Sequence, residues 1–357
     1  MSDFSYLKAP FLHSLSRQLL TAAGTPTTTA VEVSNILINA NLAGHDSHGV
    51  LRIPVYLQQI ADGKMTPAVE PQVMRNEPNL LHVDGRNGFG HYAAHKAMQW
   101  AIDKAQRETI CCVTFSNLNH IGRVGEYAEA AARADCLGMI TVGGGGQGQG
   151  SVAPFGGAQP ALGTNPIAIG APTGDDVPFV LDFATSVVAH GKIMVARSRN
   201  ADLLPGCIVD KHGQPSVKPA DFYDGGHLLT FANHKGYALS LFVALLGGLA
   251  GGFNPDRAAM SGAYMQVLNI GAFTDIDAYR QHVRAFLNGM KSTPPAAGFD
   301  EVLAPGDFEW RTRQERLANG VEVPESIVSQ LRDWAERLNV PMDEGMVTDE
   351  DRARYGH

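Results

Sequence analysis

The sequence predicts an α/β protein whose two ends are helical, and three observations predict it. Residues 79–117, NLLHVDGRNGFGHYAAHKAMQWAIDKAQRETICCVTFSN, read as strand, glycine turn, helix and strand, with Ala94, Ala97, Met98, Ala101, Ile102 and Ala105 on one helix face. Short apolar runs then recur at 137–143, 166–172 and 178–184, separated by Gly and Pro. Amphipathic helical patterns occupy 10–43 at one end and 275–291 and 325–339 at the other.

Taken in order, the segment TPTTTAVEVSNILINANLAG (25–44) has a threonine-rich start and a closing glycine, the signals of a helix and its stop. GCIVDKHGQP (206–215) reads as strand and turn. YALSLFVALLGGLAGGF (237–253) holds four glycines and is too short for a clean span, so it is expected as a buried core helix rather than a membrane segment. The charged residues after 339 are expected to be loosely packed. Three regions follow: 1–76, helical and carrying a His48/Arg52 motif; 77–308, the α/β core; and 309–357, helices packing with the first region.

The 357 residues are 44% hydrophobic, enough for a sizeable core, and carry a net charge of -8 with acids and bases interspersed. No basic stripe tracks a nucleic-acid backbone, so nucleic acid is excluded as a partner. Cys111, Cys112, Cys136 and Cys207 form no C-x-x-C pair and read as reduced thiols of the cytoplasm. The N-terminal segment is amphipathic rather than signal-like.

Two stretches match the dinucleotide glycine spacing, and neither satisfies its context. Gly143, Gly145 and Gly148 follow a strand, but the next sixteen residues bring three prolines and three more glycines, so no helix starts there. Gly88, Gly90 and Ala93 lie between strand and helix, yet the acid expected at the end of the next strand is missing from VTFSNLNH (113–120). Gly88 and Gly90 are expected to make the turn before the helix.

GHDSHGVLRIPVYL (44–57) is the most informative segment. His48, Arg52 and Tyr56 recur every four residues and share a face if the segment is helical. Pro54 favours a helix starting near Ile53, with His48 on the preceding loop and Ser47 as a candidate cap. Histidine exchanges a proton near neutral pH, arginine clamps a carboxylate with two hydrogen bonds, and tyrosine orients or donates. A small carboxylate substrate suits that set. His120 lies in a loop past a strand, and Lys235 lies in the first turn of a helix that Asn233 can cap, where an anion is favoured. His91 and His95 have zinc-ligand spacing, but Gln99 and Asp103 continue their row, which marks a solvent face, and no metal is expected. A metal-dependent hydrolase is the alternative of another class, and a ligand-binding protein without turnover a third.

Six blocks carry a resemblance. D-S-H-G-V-x-R-x-P-x-Y (Asp46 to Tyr56), N-H-x-G (Asn119 to Gly122), L-G-T-N-P-I-A (Leu162 to Ala168), the run from Phe179 to Ile193, H-K-G-Y (His234 to Tyr237) and P-P-A-x-G-F-D-E-V-L-x-P-G (Pro294 to Gly306) resemble the malate/L-lactate dehydrogenase family of NAD(P)-dependent oxidoreductases. The resemblance implies a non-Rossmann fold with NAD(H) or NADP(H) along a mixed sheet, and a homodimer. It also implies hydride transfer at C2 of a small 2-oxo or 2-hydroxy acid, or at a cyclic imine carboxylate in a close variant. It assigns His48 and His120 to acid/base work, with His48 preferred as proton donor because Arg52 lies four residues away. It implies that Ser47, Arg52, Tyr56, Thr164 and Asn165 surround the substrate. By the same resemblance Gly144, Asp182, Phe183, Ala184, His234, Lys235, Gly306 and Asp307 are expected to contact the cofactor. This sequence departs from the family pattern in the glycine run 143–150, in Ala232 and Asn233 where a Gly-Gly pair is usual, and in PGDFEW (305–310).

Overall fold

A computed structural model of the chain describes residues 4–198 and 200–355. The first region comprises β1 (Phe4–Leu7), α1 (Ala9–Ala22), α2 (Thr27–Leu42), two 3-10 turns at Asp46–His48 and Val50–Arg52, and α3 (Ile53–Ala61). The sheet region continues with β2 (Gln72–Glu77), β3 (Leu80–Asp84), α4 (Gly90–Glu108), β4 (Ile110–Ser116), α5 (Gly125–Arg133), β5 (Cys136–Gly145), β6 (Ile167–Ala171) and β7 (Phe179–Phe183). A smaller lobe holds α6 (His190–Ser198), β8 (Ile208–Val209), β9 (Pro215–Ser216), α7 (Pro219–Tyr223) and β10 (His227–Leu228). Then follow α8 (His234–Gly247), β11 (Phe253–Asn254), β12 (Ala259–Asn269), α9 (Ile276–Lys291), α10 (Asp307–Asn319), β13 (Val321–Pro324), α11 (Glu325–Leu338) and α12 (Asp349–Tyr355).

The main sheet is mixed, in the order β2-β3-β4-β12-β5-β6-β7, with β11 paired to β12. The βαβ unit read at 79–117 is present, and β3 and β4 run parallel. β12 then inserts between β4 and β5, antiparallel to both, which breaks the parallel order of a doubly wound fold. Helices α4 and α5 bury Ala94, Ala97, Met98, Ala128 and Ala131 with Val113, Ile140 and Met265 of the sheet. A second core joins α1, α2 and α3 to α11 and β13 through Leu12, Leu19, Leu37, Ile53, Val321 and Leu331. β1 pairs with β13, tying the chain's two ends together.

The glycine run serves close packing of helix on sheet. Gly143, Gly144 and Gly145 lie in β5 opposite Gly262, Ser261 and Met260 of β12. A Cβ at Gly143 would stand 2.1 Å from the Val243 carbonyl oxygen of α8, so only glycine lets α8 lie directly on the strand backbone.

Helix α8 corrects one expectation in part. It buries Gly236, Ser240, Val243, Ala244 and Gly247, but its other face leaves Leu241, Phe242 and Leu245 exposed. Helix α9 is amphipathic as expected, yet none of its residues is buried, and Phe286 and Met290 stand open. Among the described residues no helix is long and apolar enough to cross a membrane. The charged tail is a second correction, because α12 docks on α1. Asp351 and Tyr355 are buried, His13 Nδ1 lies 2.6 Å from Asp351 Oδ1, and the same carboxylate caps its own helix by accepting from the Thr348 amide at 2.9 Å. The charged residues expected to be loosely packed thus include a buried, fully engaged acid.

Candidate active site

The D-S-H-G-V segment forms a tight double turn because two neighbouring elements hold it. Asn41 of α2 accepts from the Val50 amide at 2.8 Å and donates to Asp46 at 2.7 Å. A Cβ at Gly49 would fall 2.1 Å from the Asn41 Oδ1, so the glycine makes room for that bracket. Arg316 of α10 grips both oxygens of Asp46, at 2.6 and 3.0 Å, the two-pronged geometry of a strong ion pair. Asp46 and Gly49 are therefore scaffold, and they present Ser47 and His48.

Helix α3 starts at Ile53, with Pro54 in its first turn, and His48 lies outside it as the proline signal indicates. Ser47 does not cap this helix; its hydroxyl lies 2.9 Å from His48 Nδ1. Gly191 of α6 packs on the same serine, where a Cβ would come within 2.5 Å of the Ser47 Cβ, so α6 walls this side of the site. Arg52 donates from Nε to the Ser47 carbonyl at 2.7 Å, and its two Nη groups have no protein partner among the described residues.

His120 is set by the N-H-x-G loop. Asn119 donates to the Asn87 and Gly88 carbonyls at 3.0 and 2.9 Å, latching the loop to the turn before α4. Gly88 lies in that turn, whereas Gly90 opens α4 where a Cβ would strike the Asn119 oxygen at 2.1 Å. The second glycine match thus serves backbone packing of the His120 loop. The imidazoles of His48 and His120 stack with centroids 5.6 Å apart and planes 13° apart. Tyr56, 2% exposed, places its hydroxyl 2.7 Å from His120 Nδ1 and 3.3 Å from Nε2 of His91.

These imidazoles are uncharged at neutral pH. Burial, then the neighbouring His120 and the Arg52 guanidinium, push His48 down to about 3. Burial and Arg52 push His120 down to about 4. Complete burial, with His120, His48 and Arg52 nearby, holds His91 well below the ordinary histidine value. Burial raises the Tyr56 phenol, so it keeps its proton.

The sequence-proposed cofactor residues fall along β7 and the start of α8. Asp182 accepts from the Gly125 amide at 2.9 Å and stands 3.3 Å from Arg123 Nε, at the start of α5 just past the His120 loop. Phe183 meets Phe231 edge to face at 5.4 Å, and the Thr185 amide donates to the Thr164 carbonyl at 2.8 Å. Ala184, between them, is partly buried. Asn165 is engaged by the scaffold: it accepts from the Gly144 amide and donates to Ser240, each within 3.0 Å. His234 and Lys235 are exposed in the first turn of α8, and Asn233 occupies the N-cap position without a side-chain capping bond. Ala232 and Asn233 both hold positive φ, 46° and 56°, where the family pattern has glycines. Gly306, at φ 103°, lies against the Pro178 carbonyl beside β7, and Asp307 is occupied by Lys291 at 2.8 Å and the Ala304 amide. A cleft of about 410 Å³ opens there, lined by Arg123, Glu126, Val180, Gly306, Trp310 and Arg313.

Two residues escaped the sequence reading. His91 is fully buried against Tyr56 and His120, not on a solvent face. Its spacing of three from Ala94 and seven from Met98 places it in the buried row, a signal that was available. Arg123, 4% exposed, joins Asp182 to the cleft, and a charged residue directly after a loop glycine gave no such sign. Among the described residues no group of three or more His, Cys, Asp or Glu side chains is disposed to hold a metal ion. Between His91 and His120 the convergent point is filled by the Tyr56 hydroxyl.

The sequence pattern of the malate/L-lactate dehydrogenase family matches residues 7–332. Hydroxycarboxylate dehydrogenase B of Escherichia coli O157:H7 is 35% identical over 347 residues, covering 93% of this chain and 94% of that protein. L-sulfolactate dehydrogenase of Methanocaldococcus jannaschii is 32% identical over 330 residues, covering 90% and 94%. The crystal structure of malate dehydrogenase from Entamoeba histolytica superposes with a TM-score of 0.88 at 26% identity, over 95% of this chain and 99% of that one. With the mixed sheet and all six sequence blocks in place, the chain belongs to the malate/L-lactate dehydrogenase family.

Proposed function

We propose that this chain interconverts small 2-oxo and 2-hydroxy acids with a nicotinamide cofactor, with Arg52 holding the substrate carboxylate and His120 exchanging the proton at the substrate oxygen. The observation that carries this reading is the group formed by the half-buried Arg52 and His48 with the solvent-accessible His120. It sets a guanidinium end with no protein partner among the described residues beside two uncharged imidazoles. When bound, the nicotinamide supplies or takes the hydride at C2. A neutral His120 is ready to accept the hydroxyl proton during oxidation, and an anionic carboxylate on Arg52 raises its proton affinity for the reverse direction. His120 is preferred here over His48 because a buried phenol orients its second nitrogen, as a general base requires. His48 then lies across the stacked pair as the second polar contact to substrate.

The cleft beside β7 suits the far end of a dinucleotide. Arg123 and Arg313 offer cations, and Trp310 a flat surface. Glu126, Glu129 and Glu309 also line the cleft, and burial with the adjacent Glu129 pushes the Glu126 carboxyl up to about 7, a mark of crowded carboxyl groups. A ribose 2′-phosphate adds to that crowding, and NADH is therefore expected to bind more tightly than NADPH. The exposed apolar faces of α8 and α9 fit a second copy of the chain, giving a homodimer. The unpaired cysteines suit a reducing cytoplasm.

The test is nicotinamide absorbance with a panel of 2-oxo acids and one cyclic imine carboxylate, run on wild type, His120→Ala and His48→Ala. Turnover of a 2-oxo acid that falls by about 10²-fold or more in His120→Ala, with cofactor binding retained, supports the reading. Near-normal turnover in His120→Ala with loss in His48→Ala reverses the two roles. No turnover of any panel member by wild type refutes the substrate class.

A further inference from the structure

We propose that His91 is a positioning residue that acts through Tyr56 on His120, by giving the Tyr56 hydroxyl a second acceptor so that it can receive a hydrogen bond from His120. This rests on the reading of His120 as the proton-exchanging group. The two imidazoles present Nε2 of His91 and Nδ1 of His120 to one phenolic oxygen, at 3.3 and 2.7 Å. That oxygen carries one hydrogen, and the phenol is buried.

Only two arrangements satisfy all three groups while they are neutral. In one, His91 donates from Nε2 to Tyr56, and Tyr56 donates to a bare His120 Nδ1. His120 then holds its hydrogen on Nε2 and cannot accept another there. In the other, His120 donates from Nδ1 to Tyr56, and Tyr56 donates to a bare His91 Nε2. His120 Nε2 is then free to take a proton. Protonated His120 carries hydrogen on both nitrogens and is compatible with the second arrangement alone. Without an acceptor at residue 91, the phenol hydrogen has only His120 Nδ1 to bind, which opposes protonation of that ring.

The packing of His91 is specific. Its ring is 0% exposed, and Gly122 leaves the space it fills, since a Cβ there would stand 2.8 Å from Nε2 and Cδ2. Nδ1 of His91 has no hydrogen-bond partner, so no other contact dictates which nitrogen holds its hydrogen, and both tautomers are open to it. The ionisable groups facing His120 are His48 across the stack, Arg52 from the second 3-10 turn, Tyr56 from α3 and His91 from α4. Of these, Tyr56 alone bridges His120 to a further ring.

The test follows His120 by ¹⁵N-histidine NMR titration and by the pH profile of 2-oxo acid reduction, in wild type, His91→Leu, His91→Gln and Tyr56→Phe. In folded His91→Leu the His120 titration and the kinetic limb are expected to move down by about one pH unit, because a buried phenol hydrogen is left unpaired whenever His120 is protonated. Reduction above the limb then falls about tenfold, while KM for the 2-oxo acid stays near wild type. His91→Gln, which offers an amide oxygen, restores most of the shift. Adding His91→Leu to Tyr56→Phe produces no further movement, and this cycle also serves if His91→Leu alone fails to fold, since Tyr56→Phe is then compared with and without His91→Gln. A His120 titration unmoved in folded His91→Leu, or a full additive shift in the Tyr56→Phe background, overturns the inference. Retained turnover in His120→Ala instead overturns the reading beneath it, and the NMR titration separates the two because it needs no turnover.

Discussion

Acidification from pH 7 to pH 5 is expected to remove about 1 kcal/mol of stability through His120 alone. In the unfolded chain its imidazole has the ordinary value of 6.5; in the fold burial and Arg52 lower it to about 4. Between those values the unfolded chain binds a proton that the folded chain refuses, so stability is fully present above 6.5 and declines as the pH falls toward 4. The whole gap would correspond to about 3 kcal/mol for a fully shielded ring, but His120 is solvent-accessible and screening roughly halves it, so about 1 kcal/mol has been lost at pH 5. His13, His48 and His91 are lowered as well and add to the wild-type decline, so the informative quantity is a difference between variants. Urea unfolding of wild type and His120→Gln at pH 7.0 and pH 5.0 measures it. Wild type should lose about 1 kcal/mol more than the variant over that interval. Equal losses in the two proteins refute a His120 held neutral by the fold.

Four further outcomes are expected. Arg52→Lys should raise KM for the carboxylate substrate about tenfold or more with cofactor affinity little changed, because an ammonium cannot replace the planar fork; steady-state kinetics and cofactor titration check this. Arg316→Gln should lower stability by about 1–2 kcal/mol and depress turnover, since the turn carrying Ser47 and His48 loses its grip on Asp46; unfolding and initial rates report it. Ala232→Gly should stabilise by about 1 kcal/mol by relieving a positive φ, seen as a higher unfolding midpoint. Leu245→Glu, on the exposed face of α8, should shift sedimentation toward a monomer at micromolar concentration.

Local patterning carried the strand-turn-helix-strand of 79–117, the terminal helices and the proximity of His48, Arg52 and Tyr56. The proline at 54 also placed His48 ahead of α3 correctly. The position of β12 was beyond local reading, because a strand's neighbours more than a hundred residues away are selected by pairing and shared core, not by its own period. Polar residues were harder than apolar ones. Asn165 and Asp182 look like contacts awaiting a ligand, and the fold shows each already bonded to backbone amides. His91 was legible in its spacing and was obscured by the solvent-side residues that follow His95. The strain at Ala232 and Asn233 showed only as a departure from a glycine pair, since backbone dihedrals leave no mark in composition.

The bracket on Asp46 has a consequence for how the chain is made. Its gripping arginine lies 270 positions downstream, and β1 waits for β13 over a comparable distance. During synthesis the His48 turn leaves the ribosome early and then lacks both its brace and a large share of its apolar neighbours until α10, β13 and α11 follow. The amino-terminal helices must therefore stay incompletely docked while the sheet forms, exposing Leu12, Leu19 and Leu37 for most of translation. Catalytic competence is acquired only at the end of that process, and truncation ahead of Arg316 yields a chain with its main-sheet strands all synthesised and its histidine turn unsupported.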